Sequence, residues 1–320
     1  MKKMLMAALV CPVLATAQCP DYNAAANAPT FSKPAKKSFQ NFGSTLLAGV
    51  YKPWHMVHDE MVKVGQTANV TAKFDYDAVL HKDLENEYVY AYVSGTGISG
   101  WQALGKYKTD TDGKITVSVG ARPAGEYRVR FVVEGDLSTA DGFVSVVEAG
   151  RQAVLFDIDG TLTINDFEAY ADYAGVKTAQ PYAYATNMVN AYKNKGYQVI
   201  FLTARPYWVA KDARDWLATM GIPTWHYRSN PASAVIPNDT QAHKTNYVKY
   251  LKNTVGLDII RAYGNATTDI AAYADGGLPK AQTWIIGANA GKENTQPIYN
   301  DYSYHYSTVV INTPRSVSCP

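Results

Sequence analysis

The chain of 320 residues is 47% apolar and 18% charged, the composition of a folded protein large enough for two domains rather than of a disordered or collagen-like chain. Its formal net charge of +2 falls to zero once Lys2 and Lys3 are set aside with the rest of residues 1–17. That excludes nucleic acid as an expected partner, because such binding needs a clustered basic surface. It also argues against broad electrostatic adsorption to acidic membranes, so an anionic ligand has to be met by a local cluster.

In chain order, residues 1–17 read as an export signal: Lys2 and Lys3, an apolar core from Met4 to Leu14, then Ala15-Thr16-Ala17. The apolar core is shorter than the roughly 20 residues of a spanning helix, and no later segment is longer. The expected location is therefore secreted or periplasmic, with no transmembrane segment. Cys11 leaves with the signal; Cys19 and Cys319 could pair in an oxidising compartment. Residues 18–48, rich in Ala, Pro, Asn and Ser, read as an irregular lead-in. Over 49–149, short alternating segments such as Asn69–Phe74, Tyr88–Val93, Ile115–Val119 and Tyr127–Val133 are separated by turn signals at Ser94-Gly95, Asp112-Gly113 and Pro123-Ala-Gly125. They predict an all-β sandwich, immunoglobulin-like.

From 150 to 312 the pattern changes. Val154-Leu-Phe, Gln198-Val-Ile-Phe-Leu, Ile259-Ile-Arg-Ala-Tyr and Gln282-Thr-Trp-Ile-Ile are apolar runs without alternation, as in a parallel sheet buried on both faces. Helical stretches between them stop at Gly196, Gly221 and Gly256. This predicts an α/β, Rossmann-like domain whose site lies at the carboxyl ends of the strands, followed by a tail over 313–320.

Each of those strand ends carries phosphate or metal chemistry. Asp157-Ile-Asp-Gly-Thr-Leu-Thr163 follows the first strand. Asp157 and Asp159, two apart, suit a nucleophile and a general acid/base, and Gly160 and Thr161 sit in a turn whose amides can face a phosphate. Thr203-Ala204-Arg205 ends the second strand, with a hydroxyl and a cationic fork for phosphoryl oxygens. Lys244, early in a helix where the dipole disfavours a cation, would neutralise a charged intermediate. Gly264-Asn265 to Asp269 follows the fourth strand. With Asp157 and the carbonyl of Asp159, Asn265 and Asp269 would supply the few protein oxygens that Mg²⁺ needs.

This set resembles the haloacid dehalogenase superfamily of aspartate-dependent phosphatases over about 150–312. Asp157-Ile-Asp-Gly-Thr-Leu-Thr, Leu202-Thr-Ala-Arg, His243-Lys244 and Ala262-Tyr-Gly-Asn with Asp269-Ile-Ala-Ala-Tyr273 look like the lipin phosphatidate phosphatases. They look more like the lipin-like domain of RdgB/Nir-class phosphatidylinositol transfer proteins. That likeness extends upstream through Gly100-Trp101, Asp112-Gly-Lys-Ile115, Gly125-Glu-Tyr-Arg-Val and Val133-Glu-Gly-Asp136. It implies Asp157 as nucleophile, Asp159 as acid/base, Thr203 and Lys244 on phosphate, and Mg²⁺ on Asp157, Asp159, Asn265 and Asp269. The RdgB/Nir domains lack the motif aspartates and bind phosphatidic acid without cleaving it, so the resemblance implies a catalytic relative of a lipid-binding domain.

Leu202 lies 43 positions after Asp159, room for one helix and one strand and no large cap, so the site should be open. The leading expectation is an exported Mg²⁺-dependent phosphatase of phosphatidic acid, with a peripheral membrane partner. The alternatives are a non-catalytic phosphatidic-acid module and a phosphatase of soluble phosphomonoesters. A lipid enzyme would present Tyr207, Trp208, Trp225 and Tyr227, beside Arg228, to the membrane; ordinary core packing is the competing reading of those aromatics.

Overall fold

The computed structural model describes residues 19–164, 179–222, 226–231, 239–317 and 319. The segment read as an export signal, and Trp225, lie outside them.

One sheet of the sandwich is β1 (Met56–Val57), β3 (Thr67–Lys73) and β8 (Lys114–Ala121), in that order. The other runs β2 (Glu60–Lys63), β10 (Thr139–Val147), β9 (Gly125–Val133), β6 (Tyr88–Gly95) and β7 (Ile98–Lys108). β4 (Asp75–Tyr76) and β5 (Lys82–Asp83) form a separate ladder. The alternation read from the sequence is visible in β8, where Ile115, Val117 and Val119 are buried between more exposed neighbours. They meet Val89, Val129 and Phe131 of the facing sheet in one core.

The second half is a six-stranded sheet, β13 (Tyr227–Asn230), β12 (Gln198–Pro206), β11 (Gln152–Phe156), β14 (Asp258–Gly264), β15 (Thr283–Ile286) and β16 (Gln296–Ile298), all parallel. β11 is earliest in the chain and central in the sheet, so successive strands are added on either side of it. The junction of β11 and β14 is the switch point at which such sheets bind ligands. Val154 and Phe156 point into one core layer; Ala153 and Leu155 point into the other. That is why the run shows no polar alternation.

The lead-in is not irregular throughout, which corrects the reading of residues 18–48. It contains α1 (Tyr22–Ala26) and α2 (Phe42–Val50). α2 holds Gly43 and Gly49 and lacks a polar face, so no helical period marks it in the sequence; Leu47 and Ala48 fasten it to the sandwich core. The Tyr22 hydroxyl donates to the Tyr197 carbonyl at 3.0 Å and accepts from the Val199 amide at 2.9 Å. Cys19 and Cys319 form a disulfide with Cα atoms 4.7 Å apart.

The two halves share a joint. Met61 and Val147 of the sandwich enter the α/β core beside Leu155, Ile200 and Leu202. Asp59 is fully buried there. It accepts from the amides of Phe143 (2.8 Å) and Tyr227 (2.9 Å), and pairs with Arg214 at 2.5 Å. Burial pushes its carboxyl upward, and Arg214 pulls the other way. Removing one member of a buried pair strands the other. Asp59→Ala should therefore cost about 3–5 kcal/mol, measured by urea unfolding, whereas Glu85→Ala at an exposed position should cost almost nothing.

Candidate functional site

Strand β11 hands its last hydrogen bond to Asp157, whose amide donates to the Tyr263 carbonyl of β14 at 3.0 Å. The chain then turns on the Ile158 carbonyl, which accepts from the amides of Thr161 (3.1 Å), Leu162 (2.8 Å) and Thr163 (3.1 Å). Gly160 makes this turn at φ +65°, where a side chain would be strained, and its amide donates to the Thr163 hydroxyl at 3.1 Å.

The motifs converge as a charge cluster. Lys244, from α5 (Thr240–Lys249; α3 is Ala185–Asn194 and α4 Ala210–Thr219), sets its ammonium 2.8 Å from Asp157 Oδ1 and 2.6 Å from Asp269 Oδ1. Asp269 lies in the first turn of α6 (Thr267–Asp275), and its Oδ2 accepts from the amides of Asn265 (3.1 Å) and Ala266 (3.0 Å). Gly264 makes room for it: a Cβ there would lie 2.6 Å from Asp269 Cβ. On the other side Arg205 forks onto Asp159, Nε to Oδ2 and Nη2 to Oδ1, both at 2.8 Å. The Thr203 hydroxyl stands 3.4 Å from Asp159 Oδ2 and accepts from the Arg205 amide.

Asp157, Asp159, Thr203, Lys244, Asn265 and Asp269 are thus brought together, with Gly160 and Thr161 in the intervening turn and Ala204 between the two β12 residues that reach Asp159. Arg205, expected on phosphate, forks onto the Asp159 carboxylate. Burial pushes the Asp157 carboxyl up to about 7; Lys244 opposes this, while Asp269 and Asp159 reinforce it. Burial would lower the Lys244 ammonium, but the two carboxylates outweigh it and raise it.

The site is more closed than its uncapped spacing predicts. Asp157 is 4% exposed, Lys244 3% and Thr203 0%. Lys244 lies between Asp157 and Asp269, and Arg205 lies along Asp159, so the charges face one another rather than solvent. Sequence reasoning missed Tyr302, whose hydroxyl donates to the Thr161 carbonyl at 2.8 Å and braces the turn from below. Nothing in the Asp301-Tyr-Ser-Tyr segment marks that role.

Among the described residues no group of three or more His, Cys, Asp or Glu is placed to hold a metal ion. Mg²⁺ asks less than that, and two oxygens do converge. The Thr161 hydroxyl lies 3.2 Å from Asp157 Oδ2 and 3.3 Å from Asn265 Oδ1, an all-oxygen set suited to a hard cation. Both oxygens of Asp269 are already engaged, which makes it the partner of Lys244 and the cap of α6.

Of the two readings of the aromatic residues, core packing holds for Tyr207, Trp208 and Tyr227. Tyr207 (8% exposed), Trp208 (6%) and Tyr227 (2%) are buried. Tyr207 and Trp208 pack with Met56, and the Trp54 indole donates to the Trp208 carbonyl at 3.0 Å. They belong to the joint with the sandwich, and Arg228 pairs with Glu60 across it at 3.3 Å.

Comparison with known proteins fits this architecture. Residues 53–146 match the family model of the β-sandwich domain of PITM 1-3, and residues 154–287 that of the PITM 1-3 LNS2 domain. The chain is therefore a β-sandwich followed by a lipin-like LNS2 domain. Among curated proteins it is 29% identical over 248 residues to membrane-associated phosphatidylinositol transfer protein 1 of Rattus norvegicus, covering 76% of this chain and 19% of that one. It is 28% identical over 258 residues to protein retinal degeneration B of Drosophila melanogaster, covering 78% and 20%. The chain thus spans about a fifth of the length of these relatives.

The expectation of a secreted or periplasmic protein is corrected by the phosphatidylinositol transfer relatives, whose names describe association with membranes and not export. The apolar stretch Met4 to Leu14 shows only local hydrophobicity, and it lies outside both matched regions.

Lys244→Met should leave Asp157 and Asp269 as buried like charges, costing about 3–5 kcal/mol at pH 8. The native state would then hold a proton on Asp157 that the unfolded chain, with an ordinary carboxylate, does not. Stability should fall as pH rises from 5 to 8, by up to about 1.4 kcal/mol per pH unit. Wild type, with Asp157 already raised, loses stability over the same range, and the variant should lose it more steeply towards pH 8. Chemical denaturation at several pH values checks this, and a variant with the wild-type slope would show that Lys244 does not hold the pair.

Proposed function

We propose that this chain is a peripheral module that recognises a phosphomonoester lipid headgroup of the phosphatidic-acid type at the β11–β14 switch point. The observation that carries this reading is the Arg205–Asp159 fork. The Arg205 guanidinium, with the Lys244 ammonium and the Thr203 hydroxyl, is held at the strand ends by carboxylates for which a phosphate would substitute. The name of membrane-associated phosphatidylinositol transfer protein 1, to which the chain is similar, supports a phospholipid ligand. No helix among the described residues is long and apolar enough to cross a membrane.

Charge balance sets a condition on binding. Asp157, Asp159 and Asp269 face Lys244 and Arg205, which leaves one excess negative charge when all are ionised. A dianionic headgroup needs that charge offset, by protonation of Asp157 or by a divalent cation. Asp157 and Asn265 are the residues that would hold Mg²⁺, and bound there it would supply positive charge next to the phosphate.

A second reading, hydrolysis, is favoured by one observation: among the described residues Asp157 Oδ2 keeps only the 3.2 Å contact with Thr161, so it is the carboxylate oxygen least engaged there. In that reading Asp157 attacks phosphorus once an arriving phosphate draws Arg205 from Asp159. Asp159, released from Arg205 and protonated from solvent, gives its proton to the alkoxide as the phosphorus–oxygen bond breaks. It then takes a proton from the water that attacks the aspartyl-phosphate, which frees Asp157 and releases phosphate.

Flotation with vesicles of phosphatidylcholine, carrying either phosphatidic acid or phosphatidylserine, tests the proposal. Wild type should prefer phosphatidic acid, and Lys244→Met should lose about 10- to 100-fold of that preference. Equal binding to both lipids, or no effect of the substitution, would sink it. Phosphate release in Mg²⁺ decides between the readings: release abolished by Asp157→Asn marks an enzyme, and no release with binding intact marks a recognition module.

A further inference from the structure

The exposed apolar side chains are not scattered. On α2, Phe42 (77% exposed), Leu46 (54%) and Val50 (73%) recur every fourth residue and form one stripe. The opposite face is already used, with Ser44 buried and Leu47, Ala48 and Tyr51 packed towards the sandwich core. No residue of α2 is charged. A helix apolar on both faces is normally covered on both, and here the outer face meets solvent.

The surface continues past the end of the helix. The Lys52 carbonyl accepts from the Asp77 amide at 2.9 Å, and the following turn exposes Val79 (75%) and Leu80 (58%). Asp77 holds that turn by accepting from the amides of Val79 (2.9 Å) and Leu80 (2.7 Å). His81 comes next, its ring 5.5 Å from that of Trp208, three residues beyond Arg205. The turn therefore links α2 to the carboxyl end of β12.

Cations rim the stripe. Lys36 and Lys37 lie on one flank with Thr45 and Gly49, and Lys82 on the other with Asn41 and Gly43. Lys37 pairs with Glu134, but Lys36, Lys52 and Lys82 pair with no carboxylate among the described residues. Of the rim's acids, Asp83 pairs with Lys73, whereas Asp136, which accepts from the Tyr76 and Ser138 hydroxyls, and Glu85 pair with no cation among the described residues. Apolar side chains within a ring of lysines match a bilayer interface with anionic headgroups. A second copy on the same face would bring lysine rim against lysine rim.

We propose that α2, with Val79 and Leu80, seats in the surface of an anionic phospholipid bilayer. Docking there would bring the carboxyl end of the parallel sheet to the headgroups, a consequence that rests on the phosphomonoester-lipid reading above.

Flotation with phosphatidylcholine vesicles containing phosphatidylserine and no phosphomonoester lipid isolates docking. The full chain should bind, less tightly as salt rises. The combined Phe42→Ser, Leu46→Ser and Val50→Ser variant should bind about a hundredfold more weakly with its thermal unfolding unchanged. In Phe42→Trp, brominated acyl chains should quench the introduced indole. No binding by wild type, unchanged binding by the triple variant, or an unquenched indole would overturn the proposal. So would a triple variant that turns from dimer to monomer in sedimentation while keeping its lipid affinity, which assigns the face to a second copy. Calorimetry with glycerol 3-phosphate scores the phosphate site separately: wild type and the triple variant should bind alike and Lys244→Met should not. Failure there alone removes the headgroup reading and leaves the docking face standing.

Discussion

Everything at the switch point depends on one ammonium group. Asp157 arrives on the end of β11, Asp269 on the helix after β14, and neither approach is tolerable without Lys244 between them. At separations near 4 Å, like charges repel by about 4 kcal/mol at an effective dielectric of 20. Lys244 turns that repulsion into two short ion pairs and so holds α5 against the ends of two strands. Arg205 does the same for Asp159 from β12. The cluster is simultaneously a structural clasp and a set of groups that an anion can pull apart, because phosphate offers the same partners to the same cations.

The sandwich is part of this arrangement and not an appendage. β12 ends at Pro206, and the chain turns at once through Tyr207 and Trp208, whose rings are enclosed by Met56 and Trp54 from the sandwich side. Asp59 ties β13 to the same joint through the Tyr227 amide. The phosphate-side end of β12 is therefore stiffened by residues about 150 positions earlier in the chain, and loosening the joint would loosen the placement of Arg205.

How much of this was legible varied with the kind of information required. Asp157 and Asp159 were readable because two carboxylates after a buried apolar run have few structural uses, and the order of the later motifs reproduced the strand order of a doubly wound sheet. The partner of Arg205 was not readable: a guanidinium fork fits phosphate and carboxylate equally, and only geometry distinguishes them. Tyr207, Trp208 and Tyr227 were left open between two readings for a related reason, since an aromatic residue beside a site looks the same whether it faces lipid or a neighbouring domain. α2 was missed because helical reading relies on an apolar–polar contrast around the axis, and a helix with leucine on both faces has none. Export was inferred from a segment that neither family match includes.

One further feature bears on how this unit can be handled. With Cys19 and Cys319 joined and their Cα atoms 4.7 Å apart, the chain leaves the fold at the point where it began. Its backbone is in effect a closed circuit. Such a unit tolerates circular permutation, with new ends opened at an exposed turn and the flanks near Cys19 and Cys319 joined by a few residues. For the same reason it can be spliced into a surface loop of a host protein without forcing the host's flanking segments apart.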